Sequence, residues 1–188
     1  MAVKTQKQRG ATEILTDDTV HVWLPFVNPS KTIDFRSARS GDAVVLTGLC
    51  RAAKAHWGYP AEWLAAWRDD LTITPEYIAT GWIGVAEVAG EMVGFYGLKL
   101  DRGAWHLEHL WLQPAWIGRG LGRVLFAEAV RAARVCGATE LLIKSDPKAE
   151  AFYLKMGALR SHVETYFILG KVRRELPHLR YPVVTCPG

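Results

Sequence analysis

Three glycines at alternate positions, Gly118, Gly120 and Gly122, stand between the apolar run "LWLQ" and a stretch of helical periodicity, with Arg119 and Arg123 beside them. Glycine has no β-carbon, so a ligand can approach the backbone, and the first four N–H groups of the following helix have no intrahelical partner. With the positive end of the helix macrodipole added, such a turn suits a diphosphate. The alternative is that the glycines only shape a tight strand-to-helix turn. A dinucleotide-binding βαβ unit fits less well, although Asp146 ends the next strand where a ribose-binding acid would stand. Gln113 to Ile117 separate the strand from the first glycine, and the spacing is Gly-x-Gly-x-Gly rather than Gly-x-Gly-x-x-Gly. Just upstream, "HLEH" brings His106, Glu108 and His109 together in sequence. On a regular strand His106 and Glu108 share one face and His109 takes the other, which argues against a metal held by the two histidines.

These groups need a strand, a turn and a helix to hold them, and the hydrophobic pattern supplies all three. "TIDFRSARS" alternates as a half-buried strand, and "GDAVVLTGLCRAAKAHW" has helical spacing from an Asp42 placed to cap it. A second helix is expected in "AEWLAAWRDDL", then a hairpin from "GWIGVAEV" through "AGE" to "MVGFYGLKL", then the strand "WHLEHLWL". Past the glycines, Leu121, Leu125, Ala129, Ala133 and Cys136 fall near one helical face. "TELLIKSD" reads as a buried strand, "PKAEAFYLKMG" as a short helix from Pro147 to a Gly157 C-cap, and "ALRSHVE" and "HLRYPVV" as closing strands. Residues 1–30 read as a polar arm and 31–188 as one domain.

Composition narrows the classes. A chain of 188 residues, 49% of them apolar, suits one ordinary core. No apolar run approaches the roughly 20 residues of a membrane span, and the N-terminus does not resemble a secretory signal, so a cytoplasmic protein without membrane partners is expected. Cys50, Cys136 and Cys186 lack metal or redox spacing, and no disulfide is expected. The net charge of +4 is spread among mixed charges; "KVRRE" at Lys171 to Glu175 reads as a solvated loop, and no nucleic-acid signature accompanies it.

"LWLQPAWIGRGLGRVLFAEAV" resembles the coenzyme A-binding segment of the GNAT superfamily of acyl-CoA N-acyltransferases. "FRSARSGDA" resembles that family's opening strand and turn, "VAEVAGEMVGFYGL" its central hairpin, and "SDPKAEAFYLKMGA" its late strand-helix-strand, so the likeness runs from about Thr32 to Val163. It implies an α/β fold of the α+β type: a mixed, mostly antiparallel central sheet, splayed between its fourth and fifth strands and flanked by helices. It implies acetyl-CoA as co-substrate, with no metal, and an amine-bearing acceptor. The cofactor-binding residues implied are Leu110, Trp111, Leu112, Ile117, Gly118, Arg119, Gly120, Leu121, Gly122, Arg123, Lys148 and Phe152. Ile117 departs from the Gln or Arg common there, and Lys148 from the common Asn.

Acyl transfer on such a fold needs a neutral amine, a stabilised oxyanion and a departing thiolate. An alkylammonium of pKa about 10 must lose a proton, and Glu108, in the strand beside the expected splay, is the first candidate base, with His109 beside it and Glu87 a weaker choice. Tyr153 is the candidate acid, since a phenol of pKa about 10 roughly matches a thiol near 8.5, and the family often uses a tyrosine on this helix. A strand amide near Leu110 to Leu112 would meet the oxyanion. Ordinary structural roles are the alternatives: an ion pair for Glu108, core packing for Tyr153. Trp57, Tyr59, Trp63 and Trp67 either line an acceptor pocket or pack. Two functions stay open, an N-acetyltransferase and an acyl-CoA sensor that needs only the glycine turn; a homodimer through the C-terminal strand is a further expectation.

Overall fold

The computed structural model describes residues 20–22 and 32–184, so Cys186 and nearly all of the expected arm lie outside the described residues. Ile33 and Phe35 alternate inward on β2 (Ile33–Ser37), which pairs with β1 (Val20–Val22) and with β3 (Trp82–Val88). α1 (Ala43–His56) buries Ala43, Leu46, Leu49, Cys50 and Ala53, the stripe expected from its period. Asp42 does not cap it: its carboxylate accepts from the Arg39 amide and from Arg36. α2 (Ala61–Ala66) is followed by a helix that the sequence reading missed, α3 (Pro75–Thr80), which opens with Thr74 Oγ1 accepting from the Tyr77 amide at 3.1 Å.

β4 (Glu91–Asp101) completes the hairpin with β3, and β5 (Ala104–Leu112) follows it antiparallel. α4 (Leu121–Val135), β6 (Glu140–Lys144), α5 (Glu150–Lys155), β7 (Leu159–Ile168) and β8 (Val172–Pro182) complete the chain. The order across the sheet is β1-β2-β3-β4-β5-β6-β8-β7, and β5 with β6 is its parallel pair. Counted from Ile33 these are the fourth and fifth of seven strands. They pair from Trp105–Leu141 to Leu107–Ile143, after which β6 ends at Lys144 while β5 runs on to Leu112, and the sheet opens. "KVRRE" is mostly the start of β8, not a loop, and its Arg174 is buried because the strand turns that side chain onto an aromatic cluster.

One core lies between the sheet and α4 with α5, centred on Leu121, Leu125, Phe126 and Ala129; the other lies under α1 to α3, around Leu46, Cys50, Val85 and Phe95. The β4–β5 ladder slips by one residue: Leu98 pairs with Leu107 and Gly97 with His109, so Glu108 is the unpaired residue of a bulge. The bulge resets the alternation on which the separation of Glu108 and His109 was based. His106, Glu108, His109 and Trp111 line one and the same cleft.

Candidate active site

Two clefts meet at β5. The first, of about 470 Å³, lies in the opening between β5 and α5 and is lined by Leu110, Trp111, Leu112, Ile117, Gly118, Gly120, Gly122, Arg123, Lys148 and Phe152, with Tyr153, Ala53 and Trp57. Ten of the twelve expected cofactor residues are thus together. Arg119 is exposed outside this lining, and Leu121 is fully buried in the α4 core.

The glycine turn has the geometry an anion needs. Gly118 and Gly120 sit at φ of 78° and 88°, where an L side chain is strained, and Gly120 caps α4. Among the described residues, the amides of Gly118, Gly120, Leu121 and Gly122 have no backbone acceptor. Four N–H donors at the mouth of a 15-residue helix therefore fit a diphosphate, while the leucines and Phe152 offer an apolar wall. Further along, Gln113 N–H donates to Val93 O at 2.9 Å. By strand alternation, Trp111 also faces β4, and the amides of Leu112 and Leu110 face the opening, where β6 no longer pairs.

Tyr153 stands on α5 with its ring in edge contact with Phe126 and Phe152, at centroid distances of 5.9 and 5.2 Å. Burial pushes its phenol above the ordinary value, so it carries its proton at any working pH.

The second cleft, of about 640 Å³, holds Glu108, His109, His106 and Trp111 against Trp67 and Tyr166, with Asp70, Asp146, Glu164, Lys54 and Lys144 around its walls. Glu108 is part-exposed, with Lys99 Nζ 3.4 Å away on the solvent side. His109 is different: Trp111 Nε1–H donates to its Nδ1 at 3.0 Å, which leaves Nε2 as the N–H of a neutral ring. Burial pushes this imidazole down to about 4. With its lone pair engaged, His109 is built to donate a hydrogen bond rather than to take a proton. Glu87 lines neither cleft; it accepts from Arg36 Nε at 2.8 Å, and Arg36 bridges it to Asp42. Among the described residues no group of three or more His, Cys, Asp or Glu is placed to hold a metal ion.

The aromatic cluster is not an open pocket. Lys54 Nζ lies 5.1 and 4.5 Å from the Tyr59 and Trp67 ring centres, and the Arg174 guanidinium lies 4.8 to 5.3 Å from those of Tyr59, Trp63 and Trp67. The chain's own cations thus occupy the faces that sequence reading offered to an acceptor; Trp67 alone of the four lines the second cleft, and Trp57 the first. Asp146 anchors this group. It accepts from Lys54 Nζ at 2.5 Å, Tyr59 hydroxyl at 2.8 Å and the Lys148 amide at 2.9 Å. Despite its burial, these partners hold it below the usual carboxylate range. Lys148 Nζ in turn donates to Trp57 O, so the α1–α2 junction and the β6–α5 junction are tied together beside the first cleft.

Comparison with known proteins agrees with this architecture. A GCN5-related N-acetyltransferase from Rhodopseudomonas palustris ("Aminotransferase, Class-II") superposes with a TM-score of 0.68 at 24% identity, over 79% of this chain and 94% of that one. The PaiA N-acetyltransferase from Thermoplasma acidophilum, in complex with coenzyme A, superposes with a TM-score of 0.66 at 19% identity, over 80% and 98%. No curated protein sequence matches the chain. The acetyltransferase (GNAT) family model matches residues 47–158, which take in most of α1, the central hairpin, the bulged strand, the glycine turn and α5. With more than half of its sequence matched, and with the sheet open where β5 and β6 part, the chain belongs to the GNAT family of acetyltransferases.

Proposed function

We propose that this chain is an N-acetyltransferase that uses acetyl-CoA and a primary amine, the two entering from opposite sides of β5. The observation that carries this reading is that Trp111 lines both clefts, so the groups of one reach those of the other through a single residue's width of strand. Coenzyme A would lie with its diphosphate on the amides of Gly118 to Gly122, beside Arg123 and Lys148, and its arm along Leu110 and Leu112. When bound it supplies an acyl thioester.

The chain's own groups then have distinct tasks. Glu108 takes the acceptor ammonium's proton, directly or through one water, so that a neutral nitrogen attacks. The Leu110 amide, facing the opening, donates to the thioester oxygen as charge develops there. Tyr153 hydroxyl, at the wall of the first cleft, donates its proton to the departing sulfur. His109 orients rather than titrates, its Nε2–H being a fixed donor.

A panel of amines, amino acids and peptides with several acyl-CoAs, read by release of free thiol, tests the reading. Amine-dependent release is expected. Binding of acyl-CoA without release by any amine would make the chain a sensor. In the active pair, Tyr153→Phe keeps the ring packing and removes the proton, so kcat should fall about 10²- to 10⁴-fold with coenzyme A affinity unchanged. Parental kcat would leave Tyr153 as a packing residue.

A further inference from the structure

The Tyr77 hydroxyl is buried and has no hydrogen-bond partner among the described residues. It is not placed there by default. Thr74 and Pro75 start α3 so that Tyr77 points down onto the sheet, and its ring meets His109 edge-on at 5.3 Å. The hydroxyl ends over the bulge itself: a β-carbon at Gly97, the residue paired with His109, would lie 2.8 Å from it. Gly97 is therefore the gap that admits a phenol oxygen beside Glu108. No bond of good geometry joins the two, yet they are close enough for the Glu108 charge and its pull as an acceptor to add to burial in pushing the phenol upward, so Tyr77 remains a donor directed at Glu108. Buried hydroxyls are normally satisfied, and an unsatisfied one carries a free-energy cost that a fold retains for a reason.

We propose that Tyr77 is a positioning residue for the base: its hydroxyl, with the Glu108 carboxylate, holds the water through which the acceptor's proton leaves. The proposal rests on the acetyl-transfer reading above. In this arrangement the water gives one proton to Glu108 as it takes one from the ammonium, and is regenerated unchanged. Glu108 faces a competitor, because Lys99 Nζ at 3.4 Å draws it toward solvent. Tyr77, whose hydroxyl is buried behind the bulge rather than in the cleft lining, supplies the opposing donor from the side of α3. The other ionisable groups in this surrounding are Cys50 on α1 beside Tyr77, His106 and His109 on β5, and, further along the same cleft, Lys54 on α1, Asp70 after α2, Lys144 on β6, Asp146 after it, and Glu164 and Tyr166 on β7.

The test is Tyr77→Phe in the full chain, assayed with an amine that the parent acetylates. Coenzyme A affinity and thermal midpoint should stay near parental values while kcat falls about tenfold or more. The acid limb of the kcat/KM profile should also move up by about half a pH unit or more, since the ionised carboxylate loses a donor. Gly97→Ala, which crowds the same oxygen, should change rate and profile in the same direction, although its β-carbon also comes 3.2 Å from His109 Cδ2. A Tyr77→Phe protein with parental kcat and an unmoved acid limb overturns the proposal and leaves the acetyltransferase reading standing. A rate loss with an unmoved limb and a lowered midpoint also overturns it, because that is the signature of packing. Absence of amine-dependent thiol release in the parent overturns both.

Discussion

Asp146→Asn is the most informative change outside the reacting groups. Asp146 and its partner Lys54 expose only 9% and 12% of their side chains, so the pair sits where solvent screens little. Asparagine keeps an oxygen for the Tyr59 hydroxyl and the Lys148 amide, and replaces the charged oxygen that accepts from Lys54 with an uncharged N–H donor. Lys54 is then left buried without its anion. Breaking a buried pair in this way typically costs about 3 to 5 kcal/mol. Two features here soften it: Lys54 retains the faces of Trp57, Tyr59 and Trp67, and burial already lowers its pKa, so it can neutralise instead. A loss of about 2 to 4 kcal/mol is the result, or roughly 5 to 15 °C in Tm for a domain of this size. Calorimetric melting across pH reads it. Because the folded pKa of Asp146 is depressed, its contribution is present in full above the unfolded value of about 4 and drains away as pH falls through the lower folded value. The gap between parent and variant should therefore be widest near neutrality and close below about pH 4. Adding Lys54→Met, which removes the stranded cation, should recover part of the loss. A single variant melting within about 2 °C of the parent at pH 7, or a gap that persists unchanged at pH 3, would refute the reasoning.

Gly120→Glu places a carboxylate at the helix mouth and a side chain at φ of 88°, so coenzyme A binding by calorimetry should be lost in a protein that still folds; parental affinity would mean the diphosphate lies elsewhere. The His109 ring should show no protonation in an NMR titration above about pH 5, with its Nε2 protonated throughout, since burial holds it down to about 4 and Trp111 engages Nδ1; a midpoint near 6.5 would return it to the list of bases. Glu108→Gln should lower the rate at neutral pH and regain much of it as pH rises, because more acceptor then arrives neutral; a deficit that is the same at every pH would remove Glu108 from proton transfer.

The elements and the cofactor turn were legible in the sequence because each is a local matter. The apolar stripe of α4, the alternation of β2 and the glycines at φ values that only they adopt easily are decided by residues within a few positions of one another. α3 carried equally local signals, Thr74 with Pro75 at its start and Gly81 after its end, and was readable by the same rules though it was not read. What the chain could not display in one dimension were the relations between distant segments. A bulge is fixed by how two strands pair, and the slip between Gly97 and Leu98 is what brings Glu108 and His109 into one cleft. The Lys54–Asp146 pair spans 92 positions and the Arg174–Tyr59 contact 115, so basic, acidic and aromatic residues far apart in the sequence meet inside the fold, with Arg174 Nη1 left buried without a hydrogen-bond partner among the described residues. Charge in a string says only that a side chain wants a partner; burial, distance and dielectric, which exist only once the sheet has closed on its helices, decide which partner it finds.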